Sequence, residues 1–384
     1  MDKVKTILGV NISHDTACAV VEDGEVKHVY EEERSRRAKW WSPIDDSEEN
    51  YRDLGLLCID HKQLHQPDLL TIASFDRRQY KVSFHERVYK DRILQGEIIS
   101  AFAEKQLSRS RLDEILSSFG SSVFGKSEEY VLEDDSIAEA IARQCRVDEY
   151  DFPQEHHYLH AVCGSHLSPY DECIVITWDG GGFYSHWDTH PNYQEIEGIW
   201  HYKDNAVKPM WKRYSNHRFV DELAGNFPGY GEDVCHCFEE ETIEIDGVPS
   251  VFTSAPSMGM NFSNMSYALG CDTMGRAAGK VMGMASYGQM RDDVYTKHNV
   301  AQRLEHTSLE HSCKIIENAM QLVPDCKNIV LSGGYSLNCT NNYKYLQRYP
   351  DYQFFVDPIP HDGGTAVGAA LDLWRRLNAD DTDS

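Results

Sequence analysis

Residues 151–182 read DFPQEHHYLHAVCGSHLSPYDECIVITWDGGG, and their order decides the fold. Pro153 suits the first turn of a helix and no breaker follows until Gly164, so a helix is expected through QEHHYLHAV. On it His156 and His160, four residues apart, share one face at successive turns, a spacing that can hold one metal ion. A merely polar helix face would carry the same spacing. ECIVITW then reads as a short buried strand ending in Asp179-Gly180-Gly181-Gly182. Three glycines let backbone N–H groups approach an anion, and an aspartate at a strand end can hold a metal, a water or a hydroxyl. Metal chemistry and phosphate chemistry are expected side by side.

Outward from this stretch, one layout occurs twice. KTILGVN, the polar turn ISHDT, ACAVVED, Asp23-Gly24 and EVKHVYEEE give strand, turn, strand, hairpin turn and strand over residues 5–32. ECIVITW, DGGG, FYSHWDT, a loop and EIEGIWHY repeat it over 172–202. Two such copies, each followed by helical sequence, predict an α/β fold of two related lobes with a nucleotide or phosphate between their first turns. The lobes are expected at 1–168 and 169–384. LLTIASFD (69–76) reads as a further buried strand, with helical patterns at 86–119 and 134–145. Residues 203–275 read as an irregular, aromatic-rich insertion or lid, and 377–384 as a disordered acidic tail.

Two later strands also end in glycine turns that feed helices, LSGG (331–334) and HDGG (361–364). Glycines clear space there, and a helix N-terminus offers unpaired N–H groups to an anion. Asp362, at the mouth of the last turn, could complete a two-histidine, one-carboxylate site, although by itself an aspartate there is more often an ordinary helix N-cap.

The bulk numbers narrow the function. Lys+Arg is 37 against Asp+Glu 62 in 384 residues, a formal charge of −25 that disfavours sequence-independent binding to a polyanion. The 11 cysteines fall in no metal-binding CxxC pairs and suit reduced thiols in a cytoplasm-like compartment. No signal peptide or membrane span is read, and a homo-oligomer stays open.

ILGVNISHDTACAVVEDGEVKHVYEEERSRRAK, HHYLHAV, IVITWDGGG, GKVMGMASYG, LSGGYSLNC and HDGGTAVGAAL, in this order, resemble the N-terminal domain of the O-carbamoyltransferase family that includes nodulation-factor, cephamycin and aminoglycoside carbamoyltransferases. The resemblance is poorest over 42–130 and 203–265. It implies the two-lobed actin-like, sugar-kinase-like (ASKHA) fold. It also implies that His156, His160 and Asp362 hold a divalent metal, usually iron, beside a carbamoyl-adenylate made from carbamoyl phosphate and ATP. Asp179, Gly180, Gly181, Gly182, Ser332, Gly333, Gly334, Asn338 and Gly363 would line the nucleotide. His14 would face the acceptor hydroxyl as base or orienting group, with Asp15 beside it, and Lys280 is a candidate for holding a phosphate or carbamoyl oxygen. Long family members continue into a YrdC-like domain that makes the adenylate, whereas this sequence stops at residue 384, so either a separate adenylate-forming protein supplies the activated group as a partner or this domain accepts its donor differently. Family members also carry Lys-His where Lys39 is followed here by Trp40 and Trp41.

The resemblance implies a hydroxyl compound as acceptor. RSRRAKWW (34–41), DRRQYK (76–81) and KPMWKRYSNHRF (208–219) interleave basic and aromatic residues, as binders of single strands and flipped bases do. Any one stretch would equally be a solvated face. Together they put a nucleic-acid or nucleotide acceptor slightly ahead of a sugar or antibiotic. The chemical candidate is the primary alcohol of a hydroxymethylated pyrimidine such as 5-hydroxymethylcytosine in DNA, of the kind some viruses make in infected bacteria. Threonylcarbamoyl transfer to tRNA, or a metal-stabilised nucleotide-binding subunit of a split enzyme, are the competing functions.

Overall fold

A computed structural model describes residues 6–37, 39, 56, 59, 66–73, 80–81, 131–132, 134–153, 155–182, 190, 193–216, 240–271, 277–290 and 296–378. The expected helix at 86–119, the strand FYSHWDT, Trp40 and Trp41 lie outside these residues.

β1 (Thr6–Asn11), β2 (Ala17–Glu22) and β3 (Glu25–Glu31) form an antiparallel meander. A short helix α1 (Glu32–Arg36) follows, and β4 (Leu69–Ala73) joins the other side of β1 in parallel. The first sheet has the order β3-β2-β1-β4. β5 (Tyr80–Lys81) and β6 (Val131–Leu132) make a separate small pair, and α2 (Asp134–Cys145) leads to α3 (His156–Leu167). β7 (Glu172–Trp178), β8 (Gln194–Lys203) and β9 (Ala206–Ser215) form the second antiparallel meander. β10 (Glu240–Ile245) and β11 (Val248–Thr253) extend it, and helices α4 (Met258–Ala268), α5 (Ala278–Ala285) and α6 (Lys297–Leu322) follow. β12 (Asn328–Ser332) then pairs in parallel with β7. After α7 (Cys339–Arg348), β13 (Gln353–Val356) closes the edge and α8 (Gly363–Asn378) ends the described chain.

Within the second sheet the order β9-β8-β7-β12 repeats β3-β2-β1-β4, with the same antiparallel meander and the same parallel return strand. The duplication read from the sequence is therefore a duplication of topology, the two-lobed α/β architecture expected. Asp23-Gly24, Asp204-Asn205 and Asp246-Gly247 all have positive φ, the backbone that two-residue hairpin turns require.

Residues 203–275 differ from the irregular insertion expected. Their described part holds β9, β10, β11 and α4, built onto the second sheet. The charged composition is misleading because β10 is an edge strand whose Glu240, Glu241 and Glu244 are exposed.

α3 and α8 pack on each other between the sheets. A Cβ on Gly368 of α8 would lie 2.1 Å from the Leu159 carbonyl oxygen of α3, and one on Gly9 of β1 would lie 2.0 Å from that of Ala366. Ile7, Ala19 and Val21 bury against Val162, Ala366, Val367, Ala370 and Leu371. The C-terminal helix, counted with the second lobe in the sequence, thus covers the first sheet. It also runs to Asn378, into the stretch read as a tail; residues 379–384 lie outside the described ones. α4, α5 and α6 cover the outer face of the second sheet.

Candidate metal centre and glycine turns

α3 brings His156 and His160 together as their spacing predicts: the two Nε2 atoms stand 3.2 Å apart and both side chains are buried. The helix passes through Gly164 to Leu167, and Gly164 packs towards Val330 and Ser332 of β12, which holds the helix close to the second sheet.

Two carboxylates face this pair. Asp362, just before α8, has Oδ1 3.6 Å from His156 Nε2 and 3.8 Å from His160 Nε2. Asp179, at the end of β7, has Oδ2 3.0 and 3.7 Å from the same atoms. One donor atom from each of these four buried residues lies within 4.8 Å of the others. Asp179, which as a strand-end aspartate could hold a metal and by the resemblance would line the nucleotide, thus joins the residues that could hold a metal. Nothing in the local pattern of DGGG distinguishes the two roles.

Burial alone would push both carboxyls up, but the imidazoles of His156 and His160 hold Asp179 well below the usual carboxylate range. Against the same burial, His14, His156 and His160 bring Asp362 down despite the nearby Asp179 charge. Burial likewise opposes a charge on His160, yet Asp179 and Asp362 raise it to about 9. In the free chain a protonated His160 balances the paired carboxylates, and two histidines with two aspartates also suit a divalent transition metal, which would take the place of that proton. His157, on the other side of the turn of helix, differs. Burial and the neighbouring His156 depress it to about 3, and its Nδ1 lies 3.0 Å from Thr177 Oγ1.

Around the cluster, Ser13 donates to Asp362 Oδ2 at 2.9 Å, and His14 Nδ1 lies 3.4 Å from the same oxygen with about a third of its side chain exposed. Asp15, with φ +61°, sits apart, its Oδ2 3.9 Å from His361 Nδ1. Gly180 and Gly334 donate backbone N–H groups to Asp179 Oδ1 at 2.7 and 3.2 Å. Gly182 donates to the Glu195 carbonyl at 2.6 Å and accepts from Gln194 Nε2 at 2.8 Å, while a Cβ on Gly181 would meet the Gln194 amide at 2.4 Å. Gly333 has φ +87°, and Gly363 opens α8 with its N–H on His361 Nδ1 at 3.2 Å.

Three candidates point elsewhere. The Ser332 hydroxyl donates to Asp357 Oδ2 at 2.7 Å and is fully buried. Asn338 caps α7 through Oδ1 and donates from Nδ2 to Glu305 at 3.1 Å. Lys280 is exposed on α5, with its ammonium donating to the Cys271 carbonyl at 3.1 Å. The basic stretches are also partly spent within the molecule: Arg34 pairs with Glu31, Arg36 with Glu32, Lys212 with Glu195, and Arg213 with Glu197 and Glu240. Among the described residues no helix is long and apolar enough to cross a membrane.

Residues 6–312 and 299–371 match the family described as carbamoyltransferase N-terminus. An uncharacterized protein of Synechocystis sp. is 22% identical over 391 residues, covering 96% of this chain and 57% of its own length. Nodulation protein NolNO of Sinorhizobium fredii is 23% identical over 378 residues, covering 95% of this chain and 47% of its own. The chain thus spans about half the length of the curated relatives it matches. Full-length HypF, solved in a phosphate- and nucleotide-bound form, shares the fold: the TM-score is 0.51 at 10% identity, over 98% of this chain and 56% of HypF.

Proposed function

The chain belongs to the carbamoyltransferase N-terminus family, and from that premise we propose that it transfers a carbamoyl group to an acceptor hydroxyl at the His156, His160, Asp179 and Asp362 centre. The observation that carries this reading is Asp179 itself, which faces the histidine pair with one oxygen and binds both glycine turns with the other. Metal ligand and nucleotide turn are then one residue.

The donor we propose is carbamoyl-adenylate, formed from carbamoyl phosphate and ATP. The acceptor oxygen bonds to the carbamoyl carbon, the bond from that carbon to the phosphate oxygen breaks, and AMP leaves. A divalent cation on the four ligands, iron in our reading, would supply Lewis acidity towards the carbamoyl or phosphate oxygen. His14, oriented through Nδ1 by Asp362 and partly exposed, would take the proton of the acceptor hydroxyl. The glycine turns would give the phosphate room rather than free donors, since the N–H groups of Gly180, Gly182, Gly334 and Gly363 are bonded within the chain. The buried surroundings would keep water from competing with the acceptor. Asp15 lies beside His361 and would help to set the charge around His14 rather than touch the metal.

The acceptor we propose to test first is 5-hydroxymethylcytosine in DNA, whose primary alcohol suits O-carbamoylation. The ion pairs of Arg36, Lys212 and Arg213 reduce the charge these side chains can offer a phosphate backbone, so a small sugar or antibiotic alcohol is the second arm of the test. Protein, carbamoyl phosphate, ATP and ferrous iron are incubated with hydroxymethylated DNA, ordinary DNA or an aminoglycoside, and the products are read by mass spectrometry. A carbamoyl adduct on hydroxymethylated DNA alone establishes the acceptor. If no acceptor is modified even when preformed carbamoyl-adenylate is supplied, the transfer reading fails. Modification that needs the preformed adenylate points to a separate adenylate-forming partner.

A further inference from the structure

Asp179 commits its two oxygens to different neighbours. Oδ1 accepts one N–H from each glycine turn, Gly180 at 2.7 Å and Gly334 at 3.2 Å, while Oδ2 faces His156 Nε2 at 3.0 Å. The turns are also packed against each other: a Cβ on Gly333 would lie 2.3 Å from the Trp178 carbonyl oxygen, and one on Gly334 would lie 2.8 Å from Asp179 Oδ1. The start of α4 closes on the same place. Ser257 donates to the Gly180 carbonyl at 2.7 Å and accepts the Met260 N–H at 3.0 Å, and a Cβ on Gly259 would come within 2.8 Å of the Gly180 nitrogen.

A carboxylate is rigid and planar, so turning Oδ2 towards a ligand moves Oδ1 and both N–H donors with it. A close-packed interior cannot absorb that movement locally. We infer that metal occupancy of the cluster and nucleotide occupancy of the glycine turns are coupled through Asp179, each changing the affinity for the other by the same factor. Reciprocity follows from linkage, whichever ligand arrives first. Ser257 is a positioning residue in this device: it touches neither oxygen of Asp179 but fixes the carbonyl of the turn that does. The inference rests on reading the cluster as a metal site and the turns as a nucleotide site.

The test is calorimetry on the full chain with Mn(II) as the metal and ADP as the nucleotide. Gly334 supplies no side chain to the cluster, yet in Gly334→Ala the new methyl group meets Asp179 Oδ1. Mn(II) affinity, measured without nucleotide, is expected to fall by about tenfold or more, the range seen when a partner of a metal ligand is disturbed. Ser257→Ala adds no bulk and keeps the test decisive where Gly334→Ala does not fold; it is expected to weaken Mn(II) about threefold, within the cost of one lost hydrogen bond. In chelator, ADP affinity is expected to fall in Asp179→Ala, since the turns lose their shared acceptor. Folded variants with unchanged Mn(II) affinity, or Asp179→Ala with unchanged ADP affinity, overturn the coupling and leave the site reading standing. A wild-type chain that binds no Mn(II), or no ADP, overturns the site reading and the coupling with it.

Discussion

Ser13 donates its hydroxyl to Oδ2 of Asp362 at 2.9 Å, tying the first turn of the first sheet to the residue that opens the last helix. Ser13 and Asp362 are both nearly inaccessible, so the bond is made in a dry environment where an unpaired oxygen is costly. Ser13→Ala is expected to lower divalent-metal affinity by about tenfold to a hundredfold, as loss of a ligand's supporting hydrogen bond does. Calorimetric titration with Mn(II) reads the change; an affinity equal to wild type would show that Ser13 serves only the loop.

The histidine pair sets a stability prediction. A ligand that binds only the folded chain raises the melting temperature with its concentration. Mn(II) or ferrous iron is expected to raise the melting temperature of the wild-type chain, and His156→Ala, His160→Ala and Asp362→Asn are each expected to abolish that rise. A rise that survives all three substitutions would place the metal elsewhere.

Gly368→Ala tests the packing of α8 on α3. Its methyl group would meet the Leu159 carbonyl at 2.1 Å, an atom of backbone that cannot rotate away. Overpacking of this kind costs about 1–3 kcal/mol, so a lower denaturation midpoint is expected. Because α3 carries both histidines, the same variant is expected to bind Mn(II) more weakly. Lowered stability with wild-type metal affinity would mean that the helices separate without moving the ligands.

Acid stability has a separate origin. Glu197 is buried; burial alone would raise its carboxyl, but His311 and Arg213 hold it near 2, below its ordinary 4.5. A depressed carboxyl stabilises the fold above its unfolded value and loses that contribution as pH falls from about 4.5 towards 2. The effect is on the order of 3 kcal/mol at 1.36 kcal/mol per unit. Denaturant melts of wild type and Glu197→Gln between pH 6 and 3 are expected to converge as pH falls. Parallel curves would assign the acid lability to other carboxyls.

Much of this architecture is legible in the chain because it is written in local terms. β1 to β3 and β7 announce themselves by short apolar runs with turn residues at fixed offsets, and His156 and His160 meet because four residues make one helical turn. β9, β10 and β11 are harder to read, since their alternation mixes aromatic and charged side chains at a sheet edge. The Asp204-Asn205 and Asp246-Gly247 turns were the signal available there. The composition of the cluster is less legible still. Asp179 and Ser13 reach it through contacts between residues far apart in sequence, and Ser332 and Asn338 turn to Asp357 and Glu305 for the same non-local reason.

The cover that α8 gives the first sheet bears on how the molecule is made. Ile7, Ala19 and Val21 emerge from the ribosome early, but Ala366, Val367 and Ala370, which bury them, are synthesised near the end of the described chain. Among the described residues Val162, Cys163 and their neighbours on α3 cover some of that face before α8 is made, so part of it waits for α8, a state that favours aggregation in nascent chains. Asp362 arrives with the same helix, so the last ligand and the last piece of that core are delivered together.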